Sequence, residues 1–150
     1  MKTEHLLIMR FSPIGEVAAL VPVVGALARQ YPELRITVLS QPQARQLFED
    51  IAHNVGFMGA DLKGEYHGMK GLNALYRRLV AKNFTAIADM QSILRSSYLR
   101  MRFNLSRYRV EHIERRQPAA HAHDEPPVPT EALHGHYADV LARLGYPVKL

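Results

Sequence analysis

The chain has 150 residues, 47% of them hydrophobic, and a formal net charge of +5. That size and composition predict one compact domain with a sizeable core. No apolar run approaches the roughly 20 residues of a membrane span, the first run lacks a basic start and cleavage site, and without cysteine there is no disulfide or thiolate chemistry. A cytoplasmic protein is the simple expectation.

Strand and helix signals alternate along the chain. His5–Met9 is an apolar run, and Val17, Leu20, Val21, Val24, Leu27 and Ala28 follow at helical spacing. Pro22 forfeits a backbone hydrogen bond early in that helix and predicts a kink. Tyr31-Pro32-Glu33 closes the unit, and Leu34–Leu39 is a second strand, rich in β-branched residues. Pro42–Phe48 reads as a short helix, and Val55–Met58 as a short strand after the His53-Asn54 turn. Gly59–Gly71, with four glycines, reads as a loop that places Lys63 and Lys70 on mobile backbone beside the sheet.

Leu72, Leu75, Tyr76, Leu79 and Val80 then mark a second amphipathic helix, and Thr85–Ala88 a strand ended by Asp89. Ile93, Leu94, Tyr98, Met101 and Leu105 mark the apolar face of a third helix, followed by an edge strand at Tyr108–Val110. Gln117–Thr130, with four prolines, reads as a mobile loop. Leu133, Tyr137, Val140, Leu141 and Leu144 form a last helix, stopped by Gly145-Tyr146-Pro147. Such alternation predicts an α/β fold: a Rossmann-like parallel sheet with helices on both faces.

The turn after the first strand lies where α/β domains bind ligands, at the carboxyl end of a central strand. The amides of the helix start point into the same space. Glu16 in this turn is either a candidate general base or a helix-dipole acid worth a few tenths of a kcal/mol or so. Ser12-Pro13 reads as a serine N-cap with proline at the first helical position, and Gly15 permits close backbone approach to a ligand or a strand. With one glycine here, the dinucleotide fingerprint is absent, as is a P-loop.

Asp89, Gln91 and Arg95 repeat the arrangement at a later strand end, where they either converge on the same cleft or form an Asp N-cap with a solvated arginine. His121 and His123, and His134 and His136, have H-x-H spacing, but the first pair sits in the Pro/Ala-rich loop and no cysteine supports a site, so no metal is expected. Between Arg77 and Arg116 ten basic residues face three acidic ones, a local +7 against −2 for the remainder. This favours an anionic partner. Nucleic acid is not expected, because the arginines lack interleaved aromatics and no recognition motif is present.

Taken together, Leu7-Ile-Met-Arg-Phe-Ser-Pro-Ile-Gly-Glu-Val17, Val21-Pro-Val-Val-Gly-Ala-Leu27, Tyr31-Pro-Glu-Leu-Arg-Ile-Thr-Val-Leu39, Asp61-Leu-Lys-Gly64, Ala88-Asp-Met-Gln-Ser-Ile-Leu-Arg-Ser96 and Tyr137-Ala-Asp-Val-Leu-Ala-Arg-Leu-Gly-Tyr-Pro147 resemble glycosyltransferase family 9, the lipopolysaccharide heptosyltransferases. The resemblance covers nearly the whole chain in the family's order. It implies the amino-terminal, acceptor-binding half of a GT-B enzyme, residues 1–150, with the carboxyl-terminal donor domain absent and no activity alone. No cofactor or metal is implied.

The implied partners are a phosphorylated lipid or glycan acceptor and, through the missing domain, a nucleotide sugar, typically ADP-heptose. Peripheral contact with the inner membrane surface is implied as well. Glu16 stands where the family has the aspartate of a Gly-Asp pair regarded as the general base. Ser12 and the nearby helix amides would orient the acceptor hydroxyl, Gly15 would contact the acceptor, Asp89, Gln91 and Arg95 would line the cleft, and Lys63, Lys70, Arg115 or Arg116 would meet acceptor phosphates. Two departures stand out: glutamate replaces aspartate, and the basic segment thins to Ala119, Ala120, His121 and Ala122 after Arg116. The other reading these departures suit is a non-catalytic Rossmann-like module that binds an anionic glycan or a partner protein.

Overall fold

The computed structural model describes residues 3–106, 108–113 and 129–150. Arg115, Arg116, His121, His123 and nearly all of the expected 117–130 loop lie outside the described residues. Five strands, β1 (His5–Met9), β2 (Arg35–Ser40), β3 (Val55–Gly59), β4 (Ala86–Asp89) and β5 (Arg109–His112), form one parallel sheet in the order β3-β2-β1-β4-β5. The chain moves outward from β1 to β3 and then crosses back to place β4 on the other side of β1. The strand order therefore reverses between β1 and β4, and the crevice at their carboxyl ends is where such folds take ligands.

β1 is central because it is apolar on both faces. Leu6, Leu7, Ile8 and Met9 are all fully buried, each worth roughly 1.5–3 kcal/mol. Leu6 and Ile8 pack into one core layer, Leu7 and Met9 into the other, the pattern of a strand covered on both faces.

The first layer holds α1 (Ile14–Ala18), α2 (Leu20–Gln30), α3 (Arg45–Phe48, after a 3₁₀ turn at Pro42–Ala44) and α6 (Thr130–Arg143). The expected kink is a division of the first helix at Ala19. Pro22 has no N–H to offer the carbonyl of Ala18, so the ladder is interrupted there. Thr130, expected in the loop, is the first residue of α6. Gly145 ends that helix at φ +100, a conformation that suits glycine.

The second layer holds α4 (Gly68–Val80) and α5 (Leu94–Leu105). Two expectations are corrected here. α4 begins at Gly68 rather than Leu72, so Lys70 stands on a helix and not on mobile loop backbone. The early start is permitted by Gly71, where a Cβ would lie 2.2 Å from the carbonyl carbon of Tyr66. On α5 Leu94, Met101 and Leu105 of the expected apolar face are exposed and Tyr98 packs only at the edge of the core, while Ser96, Leu99 and Phe103 are buried. The helix carries two apolar stripes. Phe103 decides between them by meeting Tyr76 and Tyr108 edge-on, each at a ring separation of 5.0 Å. Among the described residues no helix is long and apolar enough to cross a membrane.

Candidate active site

The turn after β1 and the turn after β4 are tied to each other across the point of strand reversal. Arg10, the first residue past β1, is 8% exposed. Its Nη1 donates to the Met90 carbonyl at 2.8 Å, its Nε to the Ser12 carbonyl at 3.0 Å, and its Nη2 to Glu16 Oε2 at 2.5 Å. Gln91 answers from the other side. Its Oε1 accepts from the amides of Phe11 at 2.7 Å and Ser12 at 3.4 Å, and its Nε2 donates to Ser12 Oγ at 3.2 Å.

Glu16 lies in the first turn of α1. Its side chain is 23% exposed, with Oε2 held by Arg10. Oε1 has no hydrogen-bond partner among the described residues, so one oxygen is fixed and the other can meet a ligand. Tyr137 of α6 supports the turn from below, donating its hydroxyl to the Glu16 carbonyl at 2.8 Å. Burial pushes that phenol up to about 12, opposed by the Arg10 cation and aided by the Glu16 carboxylate. It therefore serves as a neutral donor.

Ser12 does not cap the helix. Pro13 is the N-cap residue, and its carbonyl accepts from the Glu16 and Val17 amides, both at 3.0 Å. The lock on φ that proline supplies favours the extended residue before the helix as well as the first helical one. Most amides expected to be open at this turn are therefore occupied: Phe11 and Ser12 by Gln91, Glu16 and Val17 by Pro13. Those of Ile14 and Gly15 have no partner among the described residues. Gly15 faces open space, with nothing within 4 Å of where its Cβ would stand. No neighbouring strand among the described residues packs against it.

Asp89 is fully buried. Its Oδ1 accepts from the amides of Gln91 at 3.1 Å and Ser92 at 2.9 Å, and its Oδ2 from Arg100 Nη1 at 3.2 Å. It caps no helix, since α5 starts later, after Ile93. Its work is to hold the turn that presents Gln91, with Ser92 at φ +56 kept in that unfavourable region by hydrogen bonds to Arg100 and the Ile113 carbonyl. Arg95 is half-buried at the start of α5 and has no partner among the described residues. Lys63 and Lys70 are exposed near the carboxyl end of β3, and no hydrogen bond joins them to Glu16 or Gln91 among the described residues. Ser12, Glu16 and Gln91 are thus brought together, Asp89 lies beneath them, and the lysines stand apart. His134 and His136 fall two apart on α6, and no metal-binding cluster exists among the described residues.

Sequence reasoning missed Arg10, Tyr137 and Arg100. Arg10 carries a usable signal: a lone cation directly after four buried apolar residues, at the mouth of the turn. Tyr137 carries none, because its partner lies 121 residues away, and nothing in the local pattern of α5 marks Arg100 as the residue that turns back to Asp89 and Ser92.

No family model matches the chain. It is 30% identical over 96 residues to the lipopolysaccharide core heptosyltransferase OpsX of Haemophilus influenzae, which covers 64% of this chain and 26% of OpsX. The resemblance to the heptosyltransferases is borne out. In fold the chain matches a family 9 glycosyltransferase from Veillonella parvula over 97% of its own length and 43% of that chain, with a TM-score of 0.68 at 18% identity. The Escherichia coli heptosyltransferase WaaC, solved with ADP, matches 91% of this chain and 47% of its own, with a TM-score of 0.60 at 15% identity. The chain therefore has a heptosyltransferase-like glycosyltransferase fold and spans less than half the length of each of these relatives.

Proposed function

We propose that this chain is the acceptor-binding domain of a heptosyltransferase-like glycosyltransferase, with Glu16 as its general base. The observation that carries the reading is the Glu16 carboxylate at the point of strand reversal, one oxygen fixed by Arg10 and the other open. The open Oε1 takes the proton of an acceptor hydroxyl as that oxygen attacks the anomeric carbon of a nucleotide sugar and the nucleoside diphosphate departs. A base held to a single position is worth far more than a free one, since misplacement by about 1 Å costs roughly 100-fold. Ser12 and Gly15 border the space the hydroxyl would enter, and Arg95, Lys63 and Lys70 supply cations for acceptor phosphates.

The nucleotide sugar is expected to sit on a second domain outside this chain, so the chain alone binds acceptor without turnover. The test pairs acceptor binding by this chain with transfer from ADP-heptose to a truncated lipid A-core acceptor by a longer form that carries a donor domain. Transfer by the longer form, abolished by Glu16→Gln while acceptor binding persists, supports the reading. Acceptor binding with no transfer in any form supports a non-catalytic glycan-binding module instead.

A further inference from the structure

Gln91 stands in the turn after β4 and reaches the turn after β1 with both ends of its carboxamide. Its Oε1 accepts from the Phe11 and Ser12 amides at 2.7 and 3.4 Å, and its Nε2 donates to Ser12 Oγ at 3.2 Å. The reverse orientation would set an NH2 group against two backbone N–H groups, donor against donor, so the backbone dictates which way the carboxamide faces. Neighbouring groups hold the arrangement in place. Asp89 Oδ1 accepts from the Gln91 amide at 3.1 Å, and Gln41 Nε2 donates to the Phe11 carbonyl at 2.7 Å. Both polar groups of the Phe11 backbone are thus held by glutamines, one from each of the strand ends that flank β1.

The consequence falls on Ser12. A serine hydroxyl has one proton and two lone pairs. Because Gln91 Nε2 is the donor in their contact, one lone pair of Ser12 Oγ is used and its proton is not. Ser12 is exposed, and among the described residues that proton has no acceptor. Glu16 is the complement. Its open Oε1, when ionised, can only accept. The turn therefore offers a ligand one donor and one acceptor. A Ser12 proton placed on the attacking oxygen would draw off the electron pair that deprotonation by Glu16 releases, so it belongs on a different oxygen of the same sugar.

We propose that Gln91 is a positioning residue, which fixes the Ser12 hydroxyl as a hydrogen-bond donor to a second sugar oxygen of the acceptor. This rests on the reading of Glu16 as the base, and it gives Gln91 a role other than contact with the acceptor.

Gln91→Glu keeps one half of the contact and reverses the other. One carboxylate oxygen still accepts from the Phe11 and Ser12 amides. The other faces Ser12 Oγ as an acceptor, so the hydroxyl proton turns inward to it. A residue with only a structural role would tolerate this change, because the turn keeps its hydrogen bonds.

The experiment is titration of the 150-residue chain with the truncated lipid A-core acceptor, together with amide hydrogen exchange on the free chain. Ser12→Ala should weaken binding about fivefold, and Ser12→Thr, which keeps a hydroxyl, should retain it. Gln91→Glu should cost about fivefold more with Ser12 present than in the Ser12→Ala background. Repulsion between the new carboxylate and acceptor phosphates acts in both backgrounds and drops out of that ratio. The Phe11 amide should stay protected from exchange in Gln91→Glu and lose protection in Gln91→Met. Unchanged protection in Gln91→Met would overturn the proposal without reference to any ligand. Equal losses in the two backgrounds would overturn it alone and make Gln91 a direct contact, through the Nε2 proton that has no partner among the described residues. A parent chain that binds no acceptor would instead remove the reading of the site, and the proposal with it.

Discussion

Replacing Arg10 with methionine tests the architecture of the candidate site most directly. Methionine keeps an unbranched, flexible apolar stem in place of the arginine stem, so the main loss is that of the guanidinium and its three hydrogen bonds. The Ser12 carbonyl belongs to an exposed residue and regains water at little cost. The Met90 carbonyl belongs to a fully buried residue, and leaving it unpaired costs about 1–3 kcal/mol. The Glu16 carboxylate is 23% exposed, so losing its partner costs less than the 3–5 kcal/mol or so of a fully buried pair; about 1–2 kcal/mol is reasonable. The total is about 3 kcal/mol, which lowers the melting temperature of a domain this size by about 6–12 °C. Arg10→Lys should recover about 1 kcal/mol by keeping one partner. Thermal melts of Arg10→Met, Glu16→Gln and the double variant should give a coupling of about 1–2 kcal/mol. A melting temperature for Arg10→Met within about 2 °C of the parent, or no coupling, would refute the idea that this guanidinium ties the two turns together.

His5 is 5% exposed, its Nδ1 donating to the Lys82 carbonyl at 3.1 Å and its Nε2 accepting from the Thr37 hydroxyl at 2.7 Å. Burial pushes the imidazole below its ordinary value of 6.5, with the Arg35 and Lys82 cations acting in the same direction. The folded chain thus binds fewer protons than the unfolded one. The His5 contribution to stability is whole above pH 6.5 and declines as pH falls toward the lowered value, by up to about 1.4 kcal/mol per pH unit. Urea midpoints across that range should show the decline in the parent and a flatter profile in His5→Gln. Gly71→Ala should cost more than about 3 kcal/mol in denaturant melts, because its Cβ would meet the Tyr66 backbone at 2.2–2.6 Å. Gly15→Ala, which meets nothing within 4 Å, should leave stability equal or up to about 1 kcal/mol higher yet weaken acceptor binding measured by titration. Tyr137→Phe should cost about 1 kcal/mol through the lost hydrogen bond to the Glu16 carbonyl; an unchanged melt would show that this carbonyl needs no such partner.

How legible the fold was depended on whether a signal was local. β1 spans the same residues in sequence and structure, and the Pro22 interruption is visible because proline acts on its own backbone. The buried face of α5 is not legible in the sequence, because Leu94, Tyr98, Met101 and Leu105 form a better helical pattern than Ser96, Leu99 and Phe103. Only the aromatic contacts of Phe103 and the reach of Arg100 to Asp89 select the second set. Glu16 could be placed from its turn alone. What the carboxylate and its neighbours do there could not, because Arg10, Gln91 and Tyr137 act across 6, about 80 and 121 residues of chain.

The glutamate that the resemblance sets against an aspartate gains a physical meaning from Arg10. An aspartate at this position would end about one C–C bond, roughly 1.5 Å, short of where the Glu16 carboxylate meets the guanidinium. The longer side chain is the one that reaches a cation whose position is set independently by two backbone carbonyls, those of Met90 and Ser12. The extra methylene therefore does not leave the carboxylate loose in the cleft. It exchanges a short tether for a longer one pinned at its far end, and the pin is built from the turns of both strands that flank the point of reversal. The helix-dipole interaction depends on the place of the carboxylate in the first turn and not on which oxygen is held, so the Arg10 contact is a constraint added to it.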